Sequence, residues 1–195
     1  MKTIIVDYES GNLKSVANML SFFGADFEVS SDKTKILNAG KIIFPGQGHF
    51  KQAMLNLKNK GLDNTIREII EKDTPFLGIC IGLQILFENS EEAPDISGLG
   101  ILKGEVKKFT QGKIPQIGWN KINTTETNSF LTSEYFYFVN SYYVKPEDKS
   151  IVSSTSDYHG EFCASIQKNN LTAVQFHPEK SSKAGLNFFK KWINN

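Results

Sequence analysis

The first half of the chain alternates between two patterns of apolar and polar positions. Short apolar runs rich in β-branched and aromatic residues predict buried strands at residues 3–7, 27–30, 41–44 and 74–79. Between these runs, apolar residues recur every three or four positions, which predicts amphipathic helices around residues 13–23, 50–57, 66–70 and 81–87. Gly24 follows the first helical pattern, as a helix cap would. Strands that alternate with helices indicate a doubly wound, mostly parallel sheet.

The second half predicts strands joined by short polar connections. The strand-like runs are residues 102–109, 136–139, 151–156, 161–167 and 171–176, and they suggest antiparallel additions to the sheet. A last helix is predicted from about residue 181 to residue 193, with Leu186, Phe189 and Ile193 on one face. Because the sequence contains no repeat, low-complexity segment or linker, we predict one α/β domain over residues 1–195.

Composition narrows the classes of function. The 195 residues carry a formal net charge of +1, which gives no electrostatic footprint for nucleic acid or for a membrane surface. No apolar stretch approaches the length of a membrane span, and the N-terminal residues indicate a buried strand rather than a secretory signal, so we expect a cytoplasmic protein. The two cysteines, Cys80 and Cys163, are expected to be free thiols. No group of residues has zinc-ligand spacing, so we expect no metal and no cofactor.

A candidate nucleophile follows the strand predicted at residues 74–79. The sequence Gly-Ile-Cys-Ile-Gly at residues 78–82 places Cys80 between a strand and a helix, as in a nucleophile elbow. Flanking glycines allow a sharp turn, a helix N-terminus favours thiolate over thiol, and its backbone N–H groups can receive an oxyanion. Taken alone, the pentapeptide leaves a purely structural strand–helix turn equally open. Cys163 falls within a predicted strand, where a buried structural thiol is expected.

A candidate activating pair follows the last predicted strand. Residues 175–179 have the sequence Gln-Phe-His-Pro-Glu. Glu179 can hold one ring nitrogen of His177 while the other faces a thiol, and the proline between them stiffens the turn. A single histidine at a strand end is more often structural, but together with the elbow this pair predicts a Cys–His–Glu triad.

These two motifs resemble those of class I (triad-type) glutamine amidotransferases. Further similarity to the glutaminase subunits of imidazole glycerol phosphate synthase, in histidine biosynthesis, covers residues 5–8, 11–13, 45–48, 78–88, 118–120, 137–139 and 175–181. The resemblance implies a flavodoxin-like amidotransferase domain with a mostly parallel central sheet flanked by helices. It also implies that Cys80 attacks the amide carbon of glutamine, that His177 acts as general base and then acid, and that Glu179 orients His177.

The resemblance also implies a glutamine pocket. The matching residues are Gly46, Gln47, Gly48, Ile81, Gln84, Glu92, Ser141 and Tyr142. Residues 45–48 resemble the family's oxyanion loop, from which a backbone N–H would join that of Ile81. Gln84 and Glu92 would hold the substrate, with the carboxylate suited to an α-ammonium group, although composition alone makes Glu92 equally a solvated loop acid. Ser141 and Tyr142 would contact glutamine through their backbone.

A partner subunit is implied as well, because ammonia released into water would be protonated and lost. In the family this partner is a (β/α)8-barrel cyclase, which uses the ammonia to form imidazole glycerol phosphate and aminoimidazole carboxamide ribotide. Asn12, Trp119, Tyr137 and Lys180 match positions at that interface, although the two aromatic residues would also suit a core. We expect glutaminase activity to be weak until the partner holds its ligand.

Three departures from the family's pattern leave alternatives open. Glu9 stands where glycine is frequent, Gln47 where the oxyanion loop has valine, and Asn140 where histidine is common. One alternative is a paralogous subunit that supplies ammonia for an acetamidino group on a surface sugar. Others are a stand-alone cysteine hydrolase on a related elbow fold and a non-enzymatic flavodoxin-like binding module. His49 and His159 are expected in loops, with no reason to assign either a catalytic role.

Overall fold

The computed structural model describes residues 2–9, 11–126 and 130–195. Its helices are α1 (Leu13–Phe22), α2 (Lys33–Leu37), α3 (Phe50–Asn59), α4 (Asp63–Glu71), α5 (Ile81–Gln84) and α6 (Ser182–Asn194). Its strands are β1 (Thr3–Val6), β2 (Phe27–Ser30), β3 (Lys41–Phe44), β4 (Phe76–Ile79), β5 (Asn89–Ser90), β6 (Gly104–Lys108), β7 (Gln116–Thr124), β8 (Tyr135–Asn140), β9 (Tyr142–Pro146), β10 (Val152–Asp157), β11 (Glu161–Lys168) and β12 (Leu171–Val174).

The strands form one sheet with a parallel half and an antiparallel half. The parallel strands lie in the order β2-β1-β3-β4-β12. The sheet continues through antiparallel β11, β10, β7 and β8, while β9 branches from β11 and pairs with β6. Strands β1, β4 and β12 are buried along their whole length, which explains their mostly apolar sequences. The prediction of an α/β fold with an antiparallel extension in the second half is confirmed.

Helices cover both faces of the parallel half. Ile5 belongs to the apolar cluster that includes residues of α1 and α6, whereas Ile4 and Val6 belong to the cluster that includes residues of α3 and α4. This alternation follows from the two-residue period of strand side chains. Within the described ranges, no helix has the length and apolar character needed to cross a membrane.

One helix prediction is wrong at its end, and a second identifies only part of the buried face. The apolar pattern predicts a helix through residue 87, but α5 ends at Gln84. The carbonyls of Ile85, Leu86 and Phe87 accept N–H groups from residues 99–102 instead of continuing the helical ladder. In α6, the fully buried stripe contains Phe188, Phe189 and Trp192, so Leu186 and Ile193 are only partly buried. The apolar residues of this helix form two overlapping stripes, and the packing against the sheet selects one.

Four elements lie outside the predictions. They are the short helix α2 and the strands β5, β7 and β9. The side chain of Asp32 caps α2 by accepting the N–H of Lys35 at 2.9 Å. The strand β7 places two apolar side chains, Ile117 and Trp119, in solvent, so its sequence lacks the usual buried-strand pattern.

The carboxyl ends of the parallel strands position the site. Strands β1, β3, β4 and β12 all end at the same edge of the sheet, as parallel neighbours must. The described segments that follow them are residues 7–9 and 11–12, residues 45–48, Cys80 and residues 175–177. The fold therefore gathers segments that are far apart in sequence at one edge.

Candidate active site

The turn between β4 and α5 is strained in the way that an elbow requires. Cys80 has φ 54° and ψ −106°, a conformation that residues with a side chain rarely adopt. Its N–H donates to the carbonyl of Val174 at 2.8 Å, which ties the turn to β12. A Cβ on Gly82 would overlap the carbonyl oxygen of Phe44, and a Cβ on Gly78 would lie 2.8 Å from the carbonyl oxygen of Gly82. Both glycines are thus required by close backbone approach.

The histidine and the glutamate lie beside this elbow. His177 follows β12, and a 3₁₀ turn over Pro178–Lys180 brings Glu179 back towards the imidazole. The Nδ1 atom of His177 lies 2.8 Å from Oε1 of Glu179, and the two side chains are 2% and 0% exposed. The side-chain amide of Asn12 donates to the same Oε1 atom. Oε2 of Glu179 is buried and has no hydrogen-bond partner among the described residues.

The electrostatics of this group favour a charged imidazole. Burial by itself disfavours the imidazolium, but the charge and hydrogen bond of Cys80, together with those of Glu179, outweigh it and raise the pKa of His177 to about 10. A buried cation that is held in this way stabilises a thiolate beside it. The structure therefore favours a protonated imidazole that lies between Cys80 and the side chain of Glu179.

A cavity of about 510 Å³ opens above Cys80. The residues matched to a glutamine pocket that line it are Gln47, Gly48, Ile81, Gln84, Glu92, Ser141 and Tyr142. Gly46 does not line the cavity but lies behind it, where a Cβ would meet the hydroxyl of Tyr8 and the side chain of Ile81. The cavity has the size of a small-molecule site.

Glu92 is held in place rather than solvated. Its Oε2 atom accepts the N–H of Phe50 at 2.7 Å, and its Oε1 atom lies 3.3 Å from Nδ1 of His49. The side chain of Glu92 is 10% exposed, whereas that of His49 is 74% exposed. A fixed carboxylate thus faces the cavity at the start of α3.

A chain of amide groups reaches the sulfur of Cys80 from the other side. Nε2 of Gln84 donates to the carbonyl of Tyr142 at 3.2 Å and to Oε1 of Gln175 at 3.0 Å. Nε2 of Gln175 lies 3.6 Å from Sγ of Cys80. Gln175 belongs to the motif at residues 175–179, which by itself assigns it no role. Its position two residues before His177, on the same side of an extended segment, is the signal that could have identified it.

The three departures from the family's pattern have distinct environments. Glu9 adopts φ 63°, a conformation that suits glycine, and pairs with Lys60 at 3.2 Å. The side chain of Gln47 occupies the space beside Gly11. Asn140 lines the cavity and donates its amide to a backbone carbonyl at 3.0 Å, while its Oδ1 atom is buried without a hydrogen-bond partner in the described part of the chain.

The four residues predicted at a partner interface are linked by contacts around the turn at residues 178–180. Trp119 is 53% exposed on β7, and its ring packs edge-on against Tyr137 with centroids 6.0 Å apart. Lys180 is exposed at the cavity wall, and Asn12 contacts the triad glutamate. The backbone carbonyl of Tyr137 accepts the N–H of His177 at 2.9 Å, so the aromatic pair connects to the site.

Of the remaining candidate groups, Cys163 and His159 do not line the cavity, whereas His49 contacts it only through Glu92. Cys163 is buried in β11, and burial raises the pKa of its thiol to about 12. His159 lies in the turn between β10 and β11, and His49 immediately precedes α3. Across residues 2–9, 11–126 and 130–195, no group of three His, Cys, Asp or Glu side chains is placed to hold a metal ion.

Solved structures of low sequence identity share this fold. A crystal structure described as a glutamine amidotransferase superposes with a TM-score of 0.77 at 17% identity, over 98% of this chain and 99% of the other. PurLQS from Thermotoga maritima superposes with a TM-score of 0.76 at 18% identity, over 99% of this chain and 97% of the other.

Sequence comparison identifies the family more specifically than the shared fold does. A profile of the family described as glutamine amidotransferase class-I matches residues 4–194. Imidazole glycerol phosphate synthase subunit HisH 1 of Methanococcus maripaludis is 43% identical over 97% of each chain. The HisH subunit of Dehalococcoides mccartyi is 44% identical over 95% of each chain, and that of Thermus thermophilus is 44% identical over 96% of this chain and 94% of the relative. The chain therefore belongs to the class-I glutamine amidotransferase family and, within it, to the HisH subunits of imidazole glycerol phosphate synthase.

Proposed function

We propose that this chain hydrolyses glutamine to glutamate and ammonia and passes the ammonia to a (β/α)8-barrel cyclase subunit in histidine biosynthesis. The observation that carries the proposal is the buried Cys80–His177–Glu179 group at the floor of a 510 Å³ cavity, in a chain that is 43–44% identical to named HisH subunits. The names of these relatives describe subunits of a synthase, which supports a partner.

The first half-reaction forms a thioester. The Cys80 thiolate attacks the side-chain amide carbon of glutamine, and the carbonyl becomes an oxyanion. His177, held protonated by its raised pKa, gives its proton to the amide nitrogen as the carbon–nitrogen bond breaks and ammonia leaves. In the second half-reaction His177 takes a proton from water, the resulting hydroxide attacks the thioester, and glutamate leaves as the thiolate re-forms.

Backbone donors are available for the oxyanion. Ile81 is the first residue of α5, where N–H groups have no acceptor within their own helix. The loop at residues 45–48 lies against Ile81 and supplies the second donor in the proposal. The removal of one such donor typically lowers the rate by a factor on the order of one hundred or more.

The amino-acid end of the substrate is held by fixed groups. Glu92 is anchored by the backbone at the start of α3, so its carboxylate meets the α-ammonium group of glutamine without prior ordering. The backbone of Ser141 and Tyr142 lines the opposite wall, where its polar groups meet the α-carboxylate. Gln84 contacts Tyr142 and thereby fixes this wall.

An exposed apolar surface on β7 and β8 is the proposed site of the cyclase. Ile117, Trp119 and Tyr135 are 61%, 53% and 59% exposed, and Tyr137 pairs with Trp119 across the two strands. Val139 continues the same face of β8 and lines the catalytic cavity. A partner seated on this surface would cover a path from the site of ammonia release.

The proposal is tested by glutamate release from glutamine. The purified chain is assayed alone, and then with the barrel cyclase and its ribonucleotide ligand, with Cys80→Ala as the control. Weak activity alone, strong stimulation by the liganded cyclase and loss of both in the control are expected. If a cyclase that is active with its own glutaminase gives no stimulation, the histidine pathway is wrong. Stimulation by a sugar-modifying partner instead would support the paralogous pathway.

A further inference from the structure

We propose that Gln175 is a further catalytic residue, whose side-chain amide donates a hydrogen bond to Sγ of Cys80 and stabilises the attacking thiolate. The two atoms lie 3.6 Å apart, within the range for a hydrogen bond to sulfur. The inference rests on the proposed function only in taking Cys80 as the nucleophile. It concerns the state of that sulfur, whichever partner receives the ammonia.

Neighbouring groups fix which end of the Gln175 amide faces the sulfur. A backbone carbonyl can only accept, so Gln84 must present its NH₂ group to the carbonyl of Tyr142. The same nitrogen of Gln84 donates to Oε1 of Gln175. Gln175 must therefore turn its own NH₂ group to the opposite side, towards Cys80. A flipped Gln175 would oppose two NH₂ groups without an acceptor between them.

Because the site is buried, the orientation of the Gln175 amide has a large effect on the energy of the Cys80 sulfur. Gln175 is 0% exposed, Gln84 3% and Cys80 5%. Water therefore does not compete for the amide, and an unpaired donor here would carry the full cost of desolvation. The N–H of Gln175 donates to the carbonyl of Ala164 at 2.8 Å, which fixes the backbone at this position. An N–H donor that faces sulfur binds a thiolate more strongly than a neutral thiol.

The amide differs from His177 because it does not titrate. His177 loses its positive charge when it protonates the departing ammonia. Gln175 keeps its donor through the whole cycle, so it also stabilises the thiolate that leaves when the thioester is hydrolysed. The chain thus holds the sulfur between a proton-transferring cation and a permanent neutral donor.

The state of the Cys80 thiol also depends on the charged and titratable groups around it. His177, Glu92, Lys180 and Tyr142 line the same cavity, and Glu179 lies behind the imidazole. None of these residues is substituted when only Gln175 is changed. The midpoint measured for the thiol belongs to the coupled Cys80–His177 pair, so a difference between variants reports the contribution of Gln175.

The test is the pH dependence of alkylation of the isolated chain by iodoacetamide. Cys163 is buried with a thiol pKa of about 12, so the reaction reports Cys80, and Cys80→Ser verifies this. Gln175→Met keeps the approximate volume but removes the donor, and its alkylation midpoint is expected to rise by about one pH unit. Gln175→Glu places a carboxylate against the sulfur, and a larger rise is expected.

A matched control separates this role from a structural one. Gln116→Met changes another buried glutamine, on β7, and should leave the alkylation midpoint unchanged. A wild-type midpoint in folded Gln175→Met would overturn the proposal, and so would an equal shift in the control.

A second measurement needs no variant that might fail to fold. The side-chain ¹⁵N–H resonances of Gln175 in the wild-type chain should titrate together with Cys80 and should change when Cys80 is alkylated. Resonances that change neither with the titration of Cys80 nor with its alkylation would also overturn the proposal. Absence of glutamate release with every partner would instead refute the proposed function and leave these titrations to decide the role of Gln175.

Discussion

The substitution Glu179→Gln separates the charge of the triad carboxylate from its geometry. Oε1 of Glu179 accepts from both Asn12 and His177, whereas Oε2 is buried without a hydrogen-bond partner in the described residues. A glutamine can keep its oxygen in the Oε1 position and place its NH₂ group where Oε2 lies. Because Asn12 has an NH₂ group at this point, it enforces that orientation and keeps an acceptor facing Nδ1 of His177.

The expected loss follows from the change of a charged to a neutral hydrogen bond. A hydrogen bond to a charged group contributes about 1.5–3 kcal/mol and a neutral one about 0.5–1.5 kcal/mol, so the difference is about 1–1.5 kcal/mol. This corresponds to a decrease in kcat of roughly tenfold. In Asn12→Ala/Glu179→Gln, the amide is free to turn its NH₂ group to His177 and impose the wrong tautomer. In a comparable triad that change lowers kcat by about 10⁴-fold, and we expect the double variant to approach this loss.

The pH profile of glutaminase activity should also change, in a direction that follows from the pKa of His177. The pKa of His177 is raised to about 10 by Cys80 and Glu179, so the imidazolium persists up to about pH 10 and is lost above it. Without the carboxylate charge this pKa falls. The alkaline limb of kcat/KM for glutaminase activity should therefore move to lower pH by about one unit in Glu179→Gln. Steady-state glutamate release between pH 6 and pH 11 measures both effects. Wild-type kcat with an unmoved alkaline limb would refute the reasoning.

Three further outcomes are expected. Gly82→Ala should lower the free energy of unfolding in urea by about 1–3 kcal/mol, because the new methyl group overlaps the carbonyl of Phe44; an unchanged midpoint would mean that the backbone has room. A disulfide reagent should label one thiol in the native chain and two in urea, since both thiols are buried but only Cys80 lines the open cavity; two native labels would contradict this. Trp119→Ala should weaken binding of the cyclase by roughly 30-fold in calorimetry. Phe22→Ala, at an aromatic that is 70% exposed at the end of α1, should not, and equal losses would place the interface elsewhere.

Much of the fold follows from local patterns in the sequence. Strands β1, β3, β4 and β12 are buried along all or most of their length, so each appears as a short, mostly apolar run. The elbow at Cys80 and the turn at His177 carry their own local signals, namely the flanking glycines and the intervening proline. Since parallel strands end at one edge, both residues are expected at that edge, but only the pairing of β12 with β4 places them side by side.

Other features depend on contacts between distant segments. Helix α5 ends early because residues 99–102 donate hydrogen bonds to the carbonyls of residues 85–87. The face of α6 that is buried depends on its packing against the sheet. The amide of Asn12 contacts Glu179, which is 167 residues away in sequence. The NH₂ group of Gln175 faces Cys80 because Gln84 donates to the oxygen at the other side of the Gln175 amide. A sequence identifies which side chains can donate or accept, but the direction of a buried amide is decided by the neighbours that the fold places around it. The sequence thus determined the type of fold and the reacting groups, and the tertiary structure decided how the groups around the sulfur are oriented.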